Sequence, residues 1–242
     1  MLSLLLRVPP LLSIIVPVYN EANTVRQVID RLREVPLPLA REIIVVDDGS
    51  TDATGEVLRG LDGIDPTLVI VHAAKNGGKG AAVRLGLARS RGTIVAIQDA
   101  DLELDPAQLA ALVRPVLDGQ SPVVYGSRFL NGRTAARFAT VAGNRFLTSV
   151  TNVLYGASLT DMETCYKIMV ADLARSLELT SNSFDLEPEI TGKLLRRGTR
   201  ILELPIHFEP RSKAEGKKIR WRDGLTALGV LVRERFRSAP GR

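Results

Sequence analysis

The stretch "VAIQDADLELDP", residues 95–106, decides how this chain folds. An apolar run, Ile94-Val95-Ala96-Ile97, stops against Asp99 and Asp101, with Glu103 and Asp105 close behind. Clustered carboxylates repel one another and are costly to desolvate unless a cation or a positive partner compensates them. The stretch therefore ends a buried strand either in a solvated acidic loop or in a metal site.

Working outward, the same apolar-then-polar pattern recurs. "LSIIVPV" (12–18), "EIIVVDD" (42–48), "TLVIVHA" (67–73), "TIVAIQ" (93–98) and "VVYGSR" (123–128) read as strands. Helix-period segments separate them. One starts near Asn20, Glu21 and Asn23 and carries the stripe Val25, Val28, Ile29 and Leu32; a second is capped by Ser50-Thr51-Asp52. A third follows Asn76-Gly-Gly-Lys-Gly80, and a fourth opens with Asp105 as N-cap and Pro106 at the first helical position. Nearly continuous apolar strands alternating with helices predict an α/β fold, a mainly parallel sheet covered on both faces. In such sheets ligands bind outside the carboxyl ends of the strands. Asn20-Glu21, Asp47-Asp48 and Asp99-Asp101 all fall at those ends, so three distant acidic clusters are expected on one rim.

Beyond residue 130 the spacing predicts helices over 138–156 and 184–197, the second closed by Gly198, and a strand over 200–208. Residues 222–236 set Leu225, Leu228, Leu231, Val232 and Phe236 against Arg222, Arg233, Arg235 and Arg237, a basic amphipathic helix. The expected organisation is an N-terminal segment (1–11), a catalytic domain (12–221) and a basic tail (222–242) that either packs on the core or faces a membrane.

Composition excludes several classes. At 242 residues, 45% hydrophobic and 24% charged, the chain has an ordinary globular balance. The single cysteine, Cys165, rules out an internal disulfide and a cysteine-rich zinc site, and two histidines, His72 and His207, argue against a histidine-built centre. A cation here should be hard and oxygen-bound, Mg2+ or Mn2+. The glycines of 76–80 lack the spacing of a P-loop, no G-x-G-x-x-G follows the first strand, and there is no G-x-S-x-G elbow. No stretch approaches 18 uninterrupted apolar residues, so the expected membrane contact is peripheral. The net charge of +5 sits in the tail: ten basic residues lie between Arg211 and Arg242 against three acids. Nucleic acid is not the expected partner, since no recognised motif is present and aromatic residues make up only 5%.

In order along the chain, "SIIVPVYNE" (13–21), "IIVVDDGSTDAT" (43–54), "KNGGKGAAVRLGL" (75–87) and "DADLE" (99–103) resemble the inverting glycosyltransferases of family 2 with the GT-A fold. "GSR" (126–128), "GNRFLT" (143–148), "TDMETCYK" (160–167), "FDLEPEITGKLLRRG" (184–198) and "PIHFEPRSKAEGKKIRWRDG" (205–224) look like the polyprenyl-phosphate (dolichyl-phosphate) glucose and mannose synthases. The resemblance implies a metal-dependent transfer of a hexose from UDP-glucose or GDP-mannose to a polyprenyl phosphate, at the cytoplasmic face of a membrane or in the cytoplasm, with the membrane contact either peripheral or supplied by another subunit.

Carried over, it implies that Pro17, Tyr19, Glu21, Asp47 and Asp48 line the nucleoside pocket and that Gly78 and Lys79, in the Gly77–Gly80 turn, approach the nucleotide. Asp99, Ala100 and Asp101 would hold metal and diphosphate, with Glu103 as a further ligand where relatives often carry Gln. Asp101 and Arg128 would act in catalysis, and Arg128, Arg137 and Asn144 would meet the acceptor phosphate. Arg211 and Lys217 would close over the phosphates.

Chemistry separates the possible acceptors. A sugar hydroxyl needs a general base, for which Asp161 and Glu163 are the candidates. A phosphate monoester, with its second pKa near about 6, is already an anionic nucleophile and needs positive charge rather than a base. The arginines around Arg128 suit the phosphate. A third reading, a non-catalytic nucleotide-binding partner docked to a membrane, leaves the repulsive Asp99/Asp101 pair without a purpose.

Overall fold

The computed structural model describes residues 9–130, 138–210 and 221–237, and their side chains apart from those of 138, 139 and 221–223. The apolar runs become strands because β-branched residues pack well on a pleated surface. In chain order the first half gives β1 (Leu11–Val18), α1 (Val25–Glu34), β2 (Ala40–Asp47), α2 (Thr54–Arg59), β3 (Leu68–His72), α3 (Lys79–Arg89), β4 (Ile94–Ile97), α4 (Leu109–Leu117) and β5 (Val123–Ser127). The predicted stripe of α1 is its buried set, Val25, Val28, Ile29 and Leu32. Asp105 caps as expected, accepting the Ala107 N–H at 3.1 Å, and Pro106 opens a 3-10 turn that runs into α4.

The second half gives α5 (Phe138–Tyr155), β6 (Lys167–Val170), α6 (Ala171–Ser176), α7 (Leu186–Arg196), β7 (Ile201–Pro205) and α8 (Trp221–Phe236). Strand β6 and helix α6 are not anticipated by the sequence pattern. The run around Lys167 looks like a polar boundary, yet this lysine is buried. Its ammonium lies 4.6 Å from the Tyr125 ring centroid and donates to the carbonyls of Met162 and Thr164. Tertiary partners thus bring a charge into the core that no local signal supports.

The sheet order is β3-β2-β1-β4-β6-β5-β7. Parallel pairing joins β1 to β2 and β4, β2 to β3, and β5 to β7, while β6 runs antiparallel between β4 and β5. The fold is the expected α/β type, a mostly parallel sheet flanked by helices. Leu12, Ile14 and Val16 of β1, Ile43 and Val45 of β2 and the strand β4 lie in one hydrophobic core with α1 and α4. Helix α8 packs through Ala227 and Leu231 against Leu147 of α5 and Met162. No helix among the described residues is long and apolar enough to cross a membrane.

Candidate active site

The parallel register brings the three acidic clusters to one edge. Val18 pairs with Asp47, and Asp47 with His72, while Gln98, just past β4, donates its N–H to the Ile15 carbonyl at 3.0 Å. The turns after β1 and β2 are then laced together. Asn20, at φ 54°, donates its backbone N–H to Ser50 Oγ, and the Glu21 and Ala22 N–H groups go to Thr54 Oγ1 and Asp52. Pro17, Tyr19 and Glu21 stay partly exposed on this rim.

The two adjacent aspartates at the end of β2, Asp47 in the strand and Asp48 just past it, divide their work. Asp47 accepts the Ser50 N–H at 2.9 Å and lies 3.0 Å from His72 Nδ1. Burial would raise its pKa, but the hydrogen bonds from Ser50 and His72 outweigh that and hold the carboxyl below the ordinary aspartate value. Asp48 turns to the glycine run instead, accepting the N–H groups of Gly77 and Gly78 at 2.9 and 2.7 Å. Gly78 sits at φ 92°, and a Cβ there would run into the Asn182 carbonyl. The glycines are thus required where the start of α3 packs on the 181–183 backbone, with Ala81 N–H bonded to the Asn182 carbonyl at 3.1 Å. The Gly78 side of the turn expected to approach the nucleotide is occupied by that segment.

Asp99 and Asp101 do not lie on an extended strand. β4 ends at Ile97, and the side chain of Gln98 folds the chain back by donating to the Asp99 and Leu104 carbonyls, while Tyr166 Oη holds Gln98 Oε1 at 2.6 Å. The two carboxylates are therefore presented from a tight turn around buried Ala100 rather than from alternate positions of a strand. Within it Leu102 has φ 62°, a costly conformation for a bulky residue, and Asp101 accepts the Glu103 N–H at 3.1 Å. Among the described residues no three His, Cys, Asp or Glu side chains converge as a ready cage. Two carboxylates at a strand end, completed by substrate phosphates, do fit the way Mg2+ is commonly held.

Lys79 supplies the compensating cation. Its ammonium is 2.9 Å from Asp99 Oδ1 and 2.9 Å from Glu187 Oε1, at the first turn of α7. Burial alone would lower its pKa; the Asp99 and Glu187 carboxylates outweigh it and hold the ammonium well above the usual lysine value. Cys165 itself is a buried thiol whose pKa burial pushes up, so it is packed rather than nucleophilic.

At the other end of the site stands Arg128, just past β5. Its Nε and Nη2 grip Asp161 at 2.7 and 2.8 Å, and its backbone N–H reaches the same carboxylate at 3.0 Å. Asn144 Nδ2 adds a fourth bond at 3.0 Å. Both oxygens of Asp161 are thereby committed, so this residue, a candidate base in the sequence, is an anchor for Arg128. Asn144 is likewise spent on Asp161 and Thr148. Phe129 and Phe208 lie with their ring centroids 5.6 and 5.4 Å from the guanidinium carbon, and exposed Arg145 stacks on the Phe129 ring at 6.0 Å. Glu203 of β7 fixes the turn beneath by accepting the N–H groups of Thr160 and Asp161 at 2.8 and 2.9 Å. Arg137, Arg211 and Lys217 lie outside the described residues.

Sequence reasoning missed the Lys79–Glu187 contact, the two phenylalanines at Arg128 and the supporting role of Glu203. Only a tertiary neighbour gives them meaning, although Glu187 does fall inside a recognised motif. Glu163 was singled out as a base, and the structure gives it an unusual setting: burial and the charge of Glu187 raise its pKa to about 7.

The comparisons with known proteins agree with this architecture. The solved glucosyl-3-phosphoglycerate synthase of Mycobacterium tuberculosis in complex with UDP superposes with a TM-score of 0.71 at 21% identity, over 94% of this chain and 80% of that one. The same enzyme with Mn2+, UDP and glucosyl-3-phosphoglycerate gives 0.70 at 21% identity, over 93% and 80%. The fold is thus of the GT-A type. Residues 13–175 match the model of Glycosyl transferase family 2, and the chain belongs to that family. It is 30% identical to the undecaprenyl-phosphate mannosyltransferase of Micrococcus luteus over 84% of this chain and 85% of the relative. With the polyprenol monophosphomannose synthase of Mycolicibacterium smegmatis it shares 27% identity over 86% and 82%.

Proposed function

We propose that this glycosyltransferase moves a hexose, glucose or mannose, from a nucleotide sugar to a polyprenyl phosphate, with inversion and with the acceptor phosphate as nucleophile. The observation that carries this reading is the state of Asp161. Its oxygens are all engaged by Arg128 and Asn144, so at this position the acceptor end offers a guanidinium close to two aromatic rings and Asp161 is not a free base. An anionic nucleophile needs charge to hold it near a second phosphate and does not require a base. The polyprenyl-phosphate mannosyltransferases among the relatives support the same acceptor class and make GDP-mannose the first donor to test, with UDP-glucose beside it.

In this reading Asp99 and Asp101 hold Mg2+ or Mn2+, whose chemistry when bound is to neutralise charge on the departing nucleoside diphosphate. Lys79 holds Asp99 in place. Tyr19, Glu21, Asp47 and Asp48, on the neighbouring turns, bound the nucleoside. Arg128 orients the acceptor phosphate, and Phe129 and Phe208 exclude water from it. Arg137, Arg211 and Lys217 add positive charge from segments outside the described residues.

A lipid acceptor requires a membrane contact, and α8 supports one. Leu225, Val232 and Phe236 recur at helical spacing on its outward side and are exposed by 61%, 41% and 75%, opposite buried Ala227 and Leu231. Exposed Arg233, Arg235 and Arg237 flank them. A helix with an exposed apolar stripe between arginines suits a peripheral position on an anionic leaflet, where each Arg near the surface contributes about 1 kcal/mol. The domain reading is then a catalytic unit over 12–221 and a membrane-facing tail over 222–242, at the cytoplasmic face, with or without a membrane subunit.

One observation favours a second reading. A carboxyl with its pKa raised to about 7, as for Glu163, is poised as a general base toward a sugar or glycolipid hydroxyl. Transfer assays separate the two. Vesicles containing polyprenyl phosphate are incubated with Mn2+ and labelled GDP-mannose or UDP-glucose, with Asp101→Ala as control. Acid-labile lipid label from one donor, lost in the variant, is the expected result. Label found only on hydroxyl acceptors, and abolished by Glu163→Gln, would refute the phosphate acceptor.

A further inference from the structure

Helix α3 begins with a charge of the wrong sign. A helix N-terminus carries partial positive charge and favours acids, yet α3 opens on Lys79 and has no acid in its first turn. Tertiary partners supply the reason. The Lys79 ammonium lies 2.9 and 3.2 Å from the two oxygens of Asp99 and 2.9 Å from Glu187 Oε1, so one cation is shared between two carboxylates. An ammonium has three donors, which these three contacts account for. Two of them fall on the pair of oxygens that the metal reading needs. The contact that steadies Asp99 therefore also occupies it.

The two carboxylates differ in their surroundings. The Asp99 side chain is 27% exposed, against 7% for Glu187 and 13% for Lys79. An ion from solvent thus has access to Asp99, while the ammonium is held in the interior. Two cations on one carboxylate repel strongly at such range, so an ion that takes Asp99 requires the ammonium to withdraw. Glu187 offers the place: Oε1 already accepts from the ammonium, and Oε2 is buried with no hydrogen-bond partner among the described residues. The withdrawal is a side-chain movement. Lysine has a flexible four-carbon stem, whereas the backbone beneath is pinned, with the Ala81 N–H on the Asn182 carbonyl and no room for a Cβ at Gly78 or Gly80. No cage of three ligands is present among the described residues to offset the loss of Asp99 to the lysine.

We infer that Lys79 is a positioning residue that competes with the divalent ion for Asp99 and withdraws onto Glu187 when the ion binds, so that the nucleotide-free protein holds the ion only weakly. The inference rests on the metal reading of Asp99 and Asp101 given above. It assigns Lys79 and Glu187 together to the control of metal affinity.

The test follows the electron paramagnetic resonance signal of free Mn2+ as it is titrated into the full chain without nucleotide. Wild type is compared with Lys79→Gln and with Lys79→Gln/Glu187→Gln. The double variant removes one cation and one carboxylate, so the net charge around Asp99 is unchanged and a general electrostatic effect is separated from release of Asp99. It also spares the protein two facing carboxylates, and it carries the test if the single variant does not fold by circular dichroism. Both variants should bind Mn2+ about tenfold or more tighter than wild type. Adding Asp99→Asn to the double variant should abolish that gain. Unchanged or weaker Mn2+ binding in the folded double variant would overturn the competition and leave Lys79 as a support for Asp99 alone. A gain that survives Asp99→Asn would overturn it equally, by placing the effect at another carboxylate. Wild-type protein that takes up no Mn2+ even with saturating GDP or UDP would sink the metal reading itself, and the competition with it.

Discussion

Replacing Asp161 by alanine separates an anchor from a catalyst. The Asp161 side chain is fully buried and that of Arg128 is 15% exposed. Four hydrogen bonds join the carboxylate to Arg128 and Asn144. Removing it leaves a guanidinium in a largely dry setting without its counter-charge, and breaking a buried pair from one side typically costs about 3–5 kcal/mol. Total stability of a domain is roughly 5–15 kcal/mol, so the variant should sit near the edge of folding. For a chain of this size each kcal/mol shifts Tm by about 2–4 °C, which predicts a drop of about 6–20 °C. Thermal unfolding followed by circular dichroism, with urea titration at 25 °C, measures both quantities. Asp161→Asn, which keeps the shape and one acceptor oxygen, should fall between the alanine variant and wild type. The reasoning fails if Asp161→Ala unfolds within about 1 kcal/mol of wild type while turnover collapses. That outcome would make the carboxylate a participant in the chemistry and free Arg128 from its proposed dependence on it.

Other expectations follow from the same structure. Glu189 has its pKa held at about 2, against 4.5 ordinarily; burial opposes this, and the donors from Lys193, Ser181 and Thr180 outweigh it. Its contribution is fully present above about pH 4.5 and is lost as pH falls toward 2, worth about 3 kcal/mol in total, and Glu189→Gln should flatten that part of the stability–pH profile in urea titrations. Glu163 has the opposite sign: with its folded pKa raised to about 7, ionisation costs the native state stability as pH rises. Glu163→Gln should therefore match wild type near pH 4 and exceed it in Tm at pH 8; equal Tm values at both would remove the basis for a strained carboxyl. On α8, Leu225→Asp with Phe236→Asp should abolish flotation with anionic vesicles while leaving Tm within 2 °C or so of wild type, because both side chains are exposed. Flotation retained in that double variant would remove α8 from the proposed membrane contact.

Local pattern was sufficient where a residue's role depends on its neighbours in sequence. The strands from β1 to β5 and the buried stripe of α1 are legible because an apolar side chain every second or every third to fourth residue can satisfy only one geometry. Asp105-Pro106 marks a helix start for the same reason, since capping is an interaction within two residues. The convergence of Asn20-Glu21, Asp47-Asp48 and Asp99-Asp101 on one rim also followed, because every parallel strand ends on the same side. What the pattern could not carry is any partner chosen by the fold. β6 is antiparallel and contains a buried lysine whose acceptors are two carbonyls and a Tyr125 ring. Asp99 and Asp101 read as a pair at a strand's end, but the turn that presents them is fixed by Gln98 and by Tyr166, 68 positions away from it. Asp161 reads as a base until Arg128, 33 positions away, is seen to take both its oxygens. Lys79 joins Asp99 to Glu187 across 20 and 108 positions of chain. A carboxylate's chemistry is set by which donors reach it, and in a folded chain those donors arrive from distant elements, so residue type was written in the sequence and residue role was decided by the tertiary structure.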